Sequence, residues 1–339
     1  MSKGTILITG AAGFIGSHVT RDLLRFYGNG YRIIAVDNLS GGFIENLPEG
    51  AEFVCADVSD QQIVNAIFKT FKPQFVFHLA AYAAEGLSFF IQNFNIRNNL
   101  ISSVNLINAS VNHKVERFVF TSSIAVYGHA KPPVDEACPT LPADPYGIAK
   151  SAVEQSLRVV GGMFGLQYTI FRPHNVFGEY QNLGDPYRNV VGIFMNQMLR
   201  NQPLTVFGDG NQHRAFSYVA GVSWAIARCI QIERTANETY NVGADQYYSV
   251  NELAEQVQRT FGKRAEIIHL PSRNEVRDIY AKHDKALSIF SDAPQVDLGE
   301  GIERMARWAI KRGPMEPQKF TGIEVTKNMP PSWAKLMLP

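Results

Sequence analysis

Gly10-Ala11-Ala12-Gly13-Phe14-Ile15-Gly16 follows the apolar run Thr5–Thr9 and leads directly into a helical pattern marked by Ile15, Val19 and Leu23. Few folds need three glycines at that point. A tight turn out of a buried strand, with backbone pressed against a ligand, has no room for Cβ atoms. The helix behind the turn offers unpaired N–H groups to a phosphate. The spacing is G-x-x-G-x-x-G rather than the commoner G-x-G-x-x-G, and its position between a strand and a helix gives an otherwise weak motif its meaning.

Apolar runs recur at Arg32–Asp37, Phe53–Asp57, Phe75–Leu79, Phe118–Ser122 and Tyr168–Arg172, each rich in Val, Ile or Phe. Such runs suit parallel strands covered on both faces. Helical patterns separate them, at Ile63/Ile67 and over a long stretch from about residue 91 to 111. The alternation predicts an α/β fold, a doubly wound parallel sheet with right-handed crossovers. Beyond about Asn175, prolines and glycines break the regularity, as a smaller lobe capping the C-terminal edge of the sheet would require. The expected division is a cofactor domain over 1–174, a substrate lobe over 175–312 and a tail over 313–339, with segments near 213–245 returning to the first lobe. Phe320 and Trp333 are the tail's candidate anchors, and a surface wrap with no catalytic part is expected of it.

Composition narrows the function classes. Of 339 residues 45% are hydrophobic and 19% charged, with a net charge of +1 and no basic block, which gives no electrostatic case for nucleic acid or an anionic membrane. No apolar run approaches the ~20 residues of a membrane span. The first strand starts within four residues, so no signal peptide is expected. Cys55, Cys138 and Cys229 are scattered and the eight histidines do not cluster. No metal site is expected, and the cytoplasm is the expected compartment.

Tyr146 and Lys150 stand four apart, with Ser123 in Thr121-Ser122-Ser123 lying 23 residues upstream. On a helix, tyrosine and lysine so spaced share a face, and an ammonium there favours the phenolate. Such a tyrosine takes a proton from a hydroxyl while a hydride leaves the same carbon. Tyr127 and Lys131 share the spacing, but Gly128 and Pro132-Pro133 deny that segment helical register. Asp144-Pro145, by contrast, opens a helix just before Tyr146. Asp37, 21 residues beyond Gly16, is placed to hold both ribose hydroxyls of an adenosine. No arginine or lysine follows closely, which favours NAD over NADP. Asp57-Val58 is placed to touch the adenine, although Asp57 equally suits a cap for the next helix.

Together these residues resemble the extended short-chain dehydrogenase/reductases of the nucleotide-sugar epimerase/dehydratase family, most of all the UDP-glucose 4-epimerases. Further motifs carrying the resemblance are Asp37-Asn38-Leu39, His78-Leu79-Ala80-Ala81, Asn99, Arg172-Pro173-His174-Asn175, Phe207-Gly208-Asp209-Gly210 and Arg214. The resemblance implies a Rossmann sheet and bound NAD held by Gly10, Gly13, Phe14, Ile15, Asp37, Asn38, Ser40, Gly41, Gly42, Asp57, Val58, Leu79, Ala80, Ala81, Tyr82, Asn99, Thr121 and Pro173. It implies that Ser123 and Tyr146 face the sugar 4-hydroxyl and that Lys150 bonds the nicotinamide ribose. A UDP-sugar is expected on Asn175, Asn189, Val190, Thr205, Phe207, Arg214, Arg273 and Glu275, with the two arginines clamping phosphates and Phe207 against the base. A homodimer is implied, through the helices near 91–111 and beginning at Tyr146, with Ile101, Val104 and Ile107 as apolar surface.

Departures from the family pattern mark the corner around the clamp. Ala215 and Gly221 replace acidic residues, Tyr82 replaces a polar or basic one, and Arg273-Asn274-Glu275 is one residue short. Ile124-Ala125 stands where 4,6-dehydratases carry Asp-Glu and decarboxylases usually a glutamate. A hydrocarbon cannot transfer a proton. Oxidation at carbon 4, rotation and hydride return remain, which is 4-epimerisation, with UDP-glucose/UDP-galactose expected. UDP-glucuronate is the alternative: Gly86 replaces an arginine that meets a carboxylate and Glu85 opposes one, while Arg188 supplies compensating charge. A non-catalytic NAD-binding scaffold is disfavoured by the presence of Ser123, Tyr146 and Lys150. Tyr280, or Ile279 in its place, is expected to crowd an N-acetyl group beside the sugar.

Overall fold

The computed structural model describes residues 4–336. Six strands alternate with helices: β1 (Gly4–Thr9), β2 (Tyr31–Asp37), β3 (Glu52–Cys55), β4 (Phe75–His78), β5 (Arg117–Thr121) and β6 (Tyr168–Pro173). The helices are α1 (Phe14–Tyr27), α2 (Gln61–Phe71), α3 (Glu85–Ser88), α4 (Gln92–Asn95), α5 (Ser102–Asn112), α6 (Pro145–Phe164), α7 (Val190–Leu199) and α8 (Val219–Arg228). With the later strand Glu238–Val242, the strands form a seven-stranded parallel sheet in the order Glu238–Val242, β6, β5, β4, β1, β2, β3. The order reverses at β1, which lies between β2 and β4. Registers Thr9↔Val36, Thr9↔His78 and Thr121↔Phe171 bring the strand ends level, so that Gly10, Asp37, Leu79 and Ser122 emerge along one edge.

Alternation along β1 explains the two covered faces. Ile6 and Ile8 pack with Val19 and Leu23 of α1 and with Ile226 of α8, whereas Leu7 packs with Phe68, Leu106 and Leu157 on the opposite side. The return of the chain to the first lobe is fastened by hydrogen bonds from Tyr27 Oη to the Ala227 carbonyl (2.9 Å) and from Ser223 Oγ to Asp22 (2.7 Å). A third core, around Phe194, Leu253 and Ile302, builds the second lobe.

Three local expectations differ. β3 ends at Cys55, because Asp57 Oδ1 accepts from Ser59 N (2.8 Å) and turns the chain; Asp60, not Asp57, caps α2. On α2 the buried stripe is Val64, Ile67 and Phe68, leaving Ile63 exposed. The helix expected from about 91 to 111 is interrupted by a π segment, Ile96–Ile101, followed by Ser103 Oγ bonding back to the Asn99 carbonyl (2.7 Å). That register places Ile107 in the core, so it offers no dimer surface, while Ile101 is exposed.

Candidate active site

A cavity of about 610 Å³ opens beyond the C-terminal ends of the strands and runs between the lobes. At its cofactor end Gly10 has φ +71°, and a Cβ there would lie 2.6 Å from Ala80 N; one at Gly16 would lie 1.9 Å from the Gly10 carbonyl oxygen. The glycines therefore answer real close approaches. Gly13 caps α1 without a side chain, which leaves first-turn N–H groups for a phosphate. Asp37 accepts from Ala12 N (3.0 Å) and Leu39 N (2.8 Å); burial raises its pKa while these bonds oppose the rise. Phe14, Ile15, Asn38, Ser40, Gly41, Gly42, Asp57, Val58, Leu79, Ala80, Ala81, Tyr82 and Pro173 also line the cavity. Thr121 Oγ1 is buried there without a hydrogen-bond partner among the described residues. This cradle, with a carboxylate at one end and an unpaired hydroxyl at the other, fits a dinucleotide.

Asn99 is the exception among the sequence-derived residues. It does not line the cavity: its side chain accepts from Tyr82 N (2.8 Å) and donates to the Tyr82 carbonyl (3.2 Å) and Asn95 (2.7 Å). Asn99 holds the 79–82 wall from behind. Arg188 arrives beside Gly41 from the other lobe. Its Nη2 would lie 2.9 Å from a Cβ on Gly41, its guanidinium lies over the Tyr82 ring (4.3 Å), and it pairs with Asp185 (2.7 Å).

Ser123, Tyr146 and Lys150 converge at the centre of the cavity. Asp144 caps α6 by accepting from Gly147 N (2.8 Å), Pro145 supplies the first turn, and Tyr146 and Lys150 consequently face inward together. Ser123 accepts from Ala125 N (3.1 Å) and acts on the Tyr146 phenol to favour its ionised form. Lys150 Nζ donates to the Thr121 carbonyl (2.8 Å) and lies 5.8 Å from the Tyr146 ring centre. Burial pushes the lysine down to about 7, against the opposing charge of Glu154. The phenol, however, is raised rather than lowered: burial dominates, Glu85 and Asp144 add to it, and Ser123 and Arg188 only partly oppose. The sequence expectation considered the lysine and missed two carboxyls. Glu85 is accessible to water within the cavity, yet desolvation by the surrounding walls, helped by Asp144, pushes it up to about 7.

Tyr127, the decoy, is fully buried; its hydroxyl donates to Asn241 (2.8 Å) and accepts from Arg172 Nη1 (2.7 Å), while Lys131 is exposed.

The second lobe presents Asn175, Asn189, Val190, Thr205, Phe207, Arg214, Arg273 and Glu275 to the cavity. Several are already engaged. Asn189 caps α7 through Val191 N (2.9 Å) and Thr205 accepts from Gln197 (2.8 Å). Arg214 spends part of its fork on the carbonyls of His213, Val276 and Arg277, and Arg273 pairs with Glu275 (3.0 Å) while lying over the Phe207 ring (4.6 Å). The departure at Gly221 has a steric cause. A Cβ on Gly221 would lie 2.7 Å from the Pro294 carbonyl oxygen, which leaves no room for an aspartate. Behind Ala215 a chain runs from its carbonyl through His174 (3.1 Å) and His283 (2.7 Å) to Asp245 (2.6 Å).

Neither expected gate residue lines the cavity. Tyr280 stacks on Tyr247 with ring centres 4.3 Å apart, and Ile279 is buried against Ile124 and Tyr127. Sequence reasoning also missed Gln181, Gln197, Ser332 and Trp333, which do line it. No spacing or motif marked them, because they come from three separate segments. Among the described residues no His, Cys, Asp and Glu group is arranged to hold a metal, and no helix is long and apolar enough to cross a membrane.

The family model described as the NAD dependent epimerase/dehydratase family matches residues 6–243. A Methanocaldococcus jannaschii protein provisionally named UDP-glucose 4-epimerase is 37% identical, over 89% of this chain and 97% of that protein. The crystal structure of a Thermotoga maritima UDP-glucose 4-epimerase with UDP-glucose superimposes with a TM-score of 0.84 at 35% identity, covering 91% of this chain and 99% of that one. A Bacillus cereus UDP-glucuronic acid 4-epimerase in complex with UDP-glucuronic acid and NAD gives 0.83 at 27% identity, over 91% and 99%.

Proposed function

Because this chain belongs to the NAD dependent epimerase/dehydratase family, we propose that it is an NAD-dependent 4-epimerase of a UDP-sugar, with UDP-glucose and UDP-galactose as its substrate pair. The convergence of Ser123, Tyr146 and Lys150 between a dinucleotide cradle and the second lobe carries this reading. Bound NAD would take a hydride from carbon 4 and return it to the opposite face. The chain's own residues do the rest. Gly10, Gly13 and the first turn of α1 hold the pyrophosphate, and Asp37 the adenosine ribose. Tyr146 accepts the 4-hydroxyl proton and later gives it back, with Ser123 aligning that hydroxyl. Ser123 and Arg188 counter the burial and carboxyl effects that raise the phenol, and Lys150, one turn on, bonds the nicotinamide ribose. Arg214, Arg273 and the α7 N-terminus hold the diphosphate while the 4-keto sugar turns over between them.

Ile124 and Ala125 are buried hydrocarbons where a dehydratase needs acids. Two carboxyls, Glu85 and Asp144, do act on Tyr146 from elsewhere, but Asp144 is committed to capping α6. Arg188, whose charge is felt at Tyr146, gives the UDP-glucuronate reading its support, and Glu85 opposes it. Incubation with UDP-glucose, UDP-glucuronate and UDP-N-acetylglucosamine, followed by chromatographic separation of epimers, tests the proposal. Conversion of UDP-glucose to UDP-galactose is expected; a product lighter by one water, or conversion of the uronate alone, would overturn it.

The chain is further proposed to work as a homodimer. Ile101 on the π segment and Ile148, Val159 and Met163 on α6 are exposed apolar residues on neighbouring helices. A monomer mass by light scattering at micromolar concentration would refute this.

A further inference from the structure

We propose that the C-terminal segment is part of the substrate site, with Ser332 and Trp333 contacting the bound UDP-sugar. The inference rests on the UDP-sugar reading above. After the last long helix, Leu298–Arg312, the chain crosses the second lobe and reaches the first. Gln318 N donates to the Gly184 carbonyl (2.7 Å), and the Glu324 carboxylate accepts from Asn93 N (2.8 Å) and Phe94 N (2.9 Å) at the start of α4. Phe320 packs against Tyr82 and Phe94, with ring centres 5.3 and 5.0 Å apart. These ties end at Trp333, which is 3% exposed and lies edge-on to Tyr187 (5.4 Å) and Phe207 (6.1 Å), with the Arg273 guanidinium 5.7 Å from its ring.

Two observations turn a strap into a wall. Ser332 and Trp333 line the cavity, and the Ser332 hydroxyl is buried there with no hydrogen-bond partner among the described residues. A buried hydroxyl left unpaired is costly unless a ligand completes it. The second is Gly86, which stands against the tail. A Cβ there would lie 3.1 Å from Trp333 Cη2 and 3.7 Å from Arg273 Nη1. The indole fills the space that a side chain at position 86 would need. Wall material beside the loop after β4 thus comes from the far end of the chain. Trp333 supplies an apolar surface beside Phe207 and Arg273, and Ser332 a donor for a hydroxyl, carbonyl or phosphate oxygen of the nucleotide sugar.

The test uses the full chain with NAD bound. UDP and UDP-glucose are titrated calorimetrically into the unmodified protein, Ser332→Ala and Trp333→Phe, with melting temperature and NAD affinity measured alongside. Ser332→Ala is expected to weaken UDP-glucose about tenfold, one hydrogen bond's worth, and to leave melting and NAD affinity unchanged, since that hydroxyl bonds none of the described residues. Trp333→Phe should weaken it similarly, and UDP-glucose should slow tryptic cleavage at Lys327 in the unmodified chain. Unchanged affinity in both variants would overturn the wall while leaving the functional reading intact. An unmodified protein that binds neither UDP nor UDP-glucose would overturn that reading and this inference with it.

Discussion

Arg172 grips Glu154 through two parallel hydrogen bonds, Nε to Oε1 at 2.9 Å and Nη2 to Oε2 at 2.5 Å, with both side chains buried. Ser122 Oγ adds a third bond to the carboxylate at 2.6 Å. Although burial disfavours its charge, these partners hold the Glu154 carboxyl below its ordinary range. The pair ties β6 to α6 one turn beyond Lys150, and so fixes the helix that presents Tyr146. Replacing one member leaves the other as an uncompensated buried charge, a loss of about 3–5 kcal/mol. Glu154→Gln is therefore expected to lower unfolding free energy by that amount in urea titration. A loss below about 1 kcal/mol would mean that water reaches the pair.

The two tyrosines separate catalysis from stability. Tyr146→Phe keeps the ring and removes the proton acceptor, so turnover should fall by about 10²-fold or more while UDP-sugar binding persists. Tyr127→Phe strips a hydroxyl from between Arg172 and Asn241 and should cost about 1–3 kcal/mol of stability with turnover largely kept. Near-normal turnover of Tyr146→Phe would refute its role.

What the sequence revealed and what it hid follow from the range of the interactions involved. The glycine turn, the Asp144-Pro145 helix start and the Tyr146/Lys150 register are local, and each is visible within a few residues. The raised Tyr146 phenol depends on burial first and then on Glu85, which is 61 positions away and brought in by the sheet. Arg188 beside Gly41 and Trp333 over Gly86 are contacts between lobes, with no period or motif to announce them. Asn99 shows a subtler limit: the motif located the residue correctly, but only the π segment turns its amide toward the Tyr82 backbone.

Cofactor choice rests on Asp37. Its carboxylate, already accepting two N–H bonds, keeps lone pairs for ribose hydroxyls and repels a 2′-phosphate. NAD should bind at least about tenfold more tightly than NADP, a difference of about 1.4 kcal/mol, and Asp37→Asn should erase most of that preference in fluorescence titration. Equal affinities in the unmodified protein would sink the claim.

Lys150 makes stability depend on pH in a stated direction. Burial brings it down to about 7 from the ordinary 10.5, so between those values the unfolded chain binds the proton that the folded one has released. Its contribution is complete above the unfolded pKa, is lost as pH falls, and stays lost below about 7. Replacing it by Met removes the linkage. The stability difference between Lys150→Met and the unmodified protein should shrink steadily from pH 7 to pH 9 in urea titrations. A difference independent of pH would show that the lysine keeps its ordinary affinity for the proton.

Tyr280 should not select the sugar. Its ring stacks on Tyr247 at an interplanar angle of 17°, and its carbonyl accepts from Val134 N (3.1 Å), so both side chain and backbone are held outside the cavity. Removing the ring forfeits an aromatic pair worth about 0.5–1.5 kcal/mol. Tyr280→Ala is thus expected to lower the melting temperature slightly while leaving the ratio of kcat/KM for UDP-glucose and UDP-N-acetylglucosamine unchanged. Val276, which does line the cavity, is the better position from which to crowd a substituent. Val276→Ala should favour the larger sugar, because the space opened is on the ligand's side of the wall. A selectivity shift in Tyr280→Ala without one in Val276→Ala would reverse this assignment.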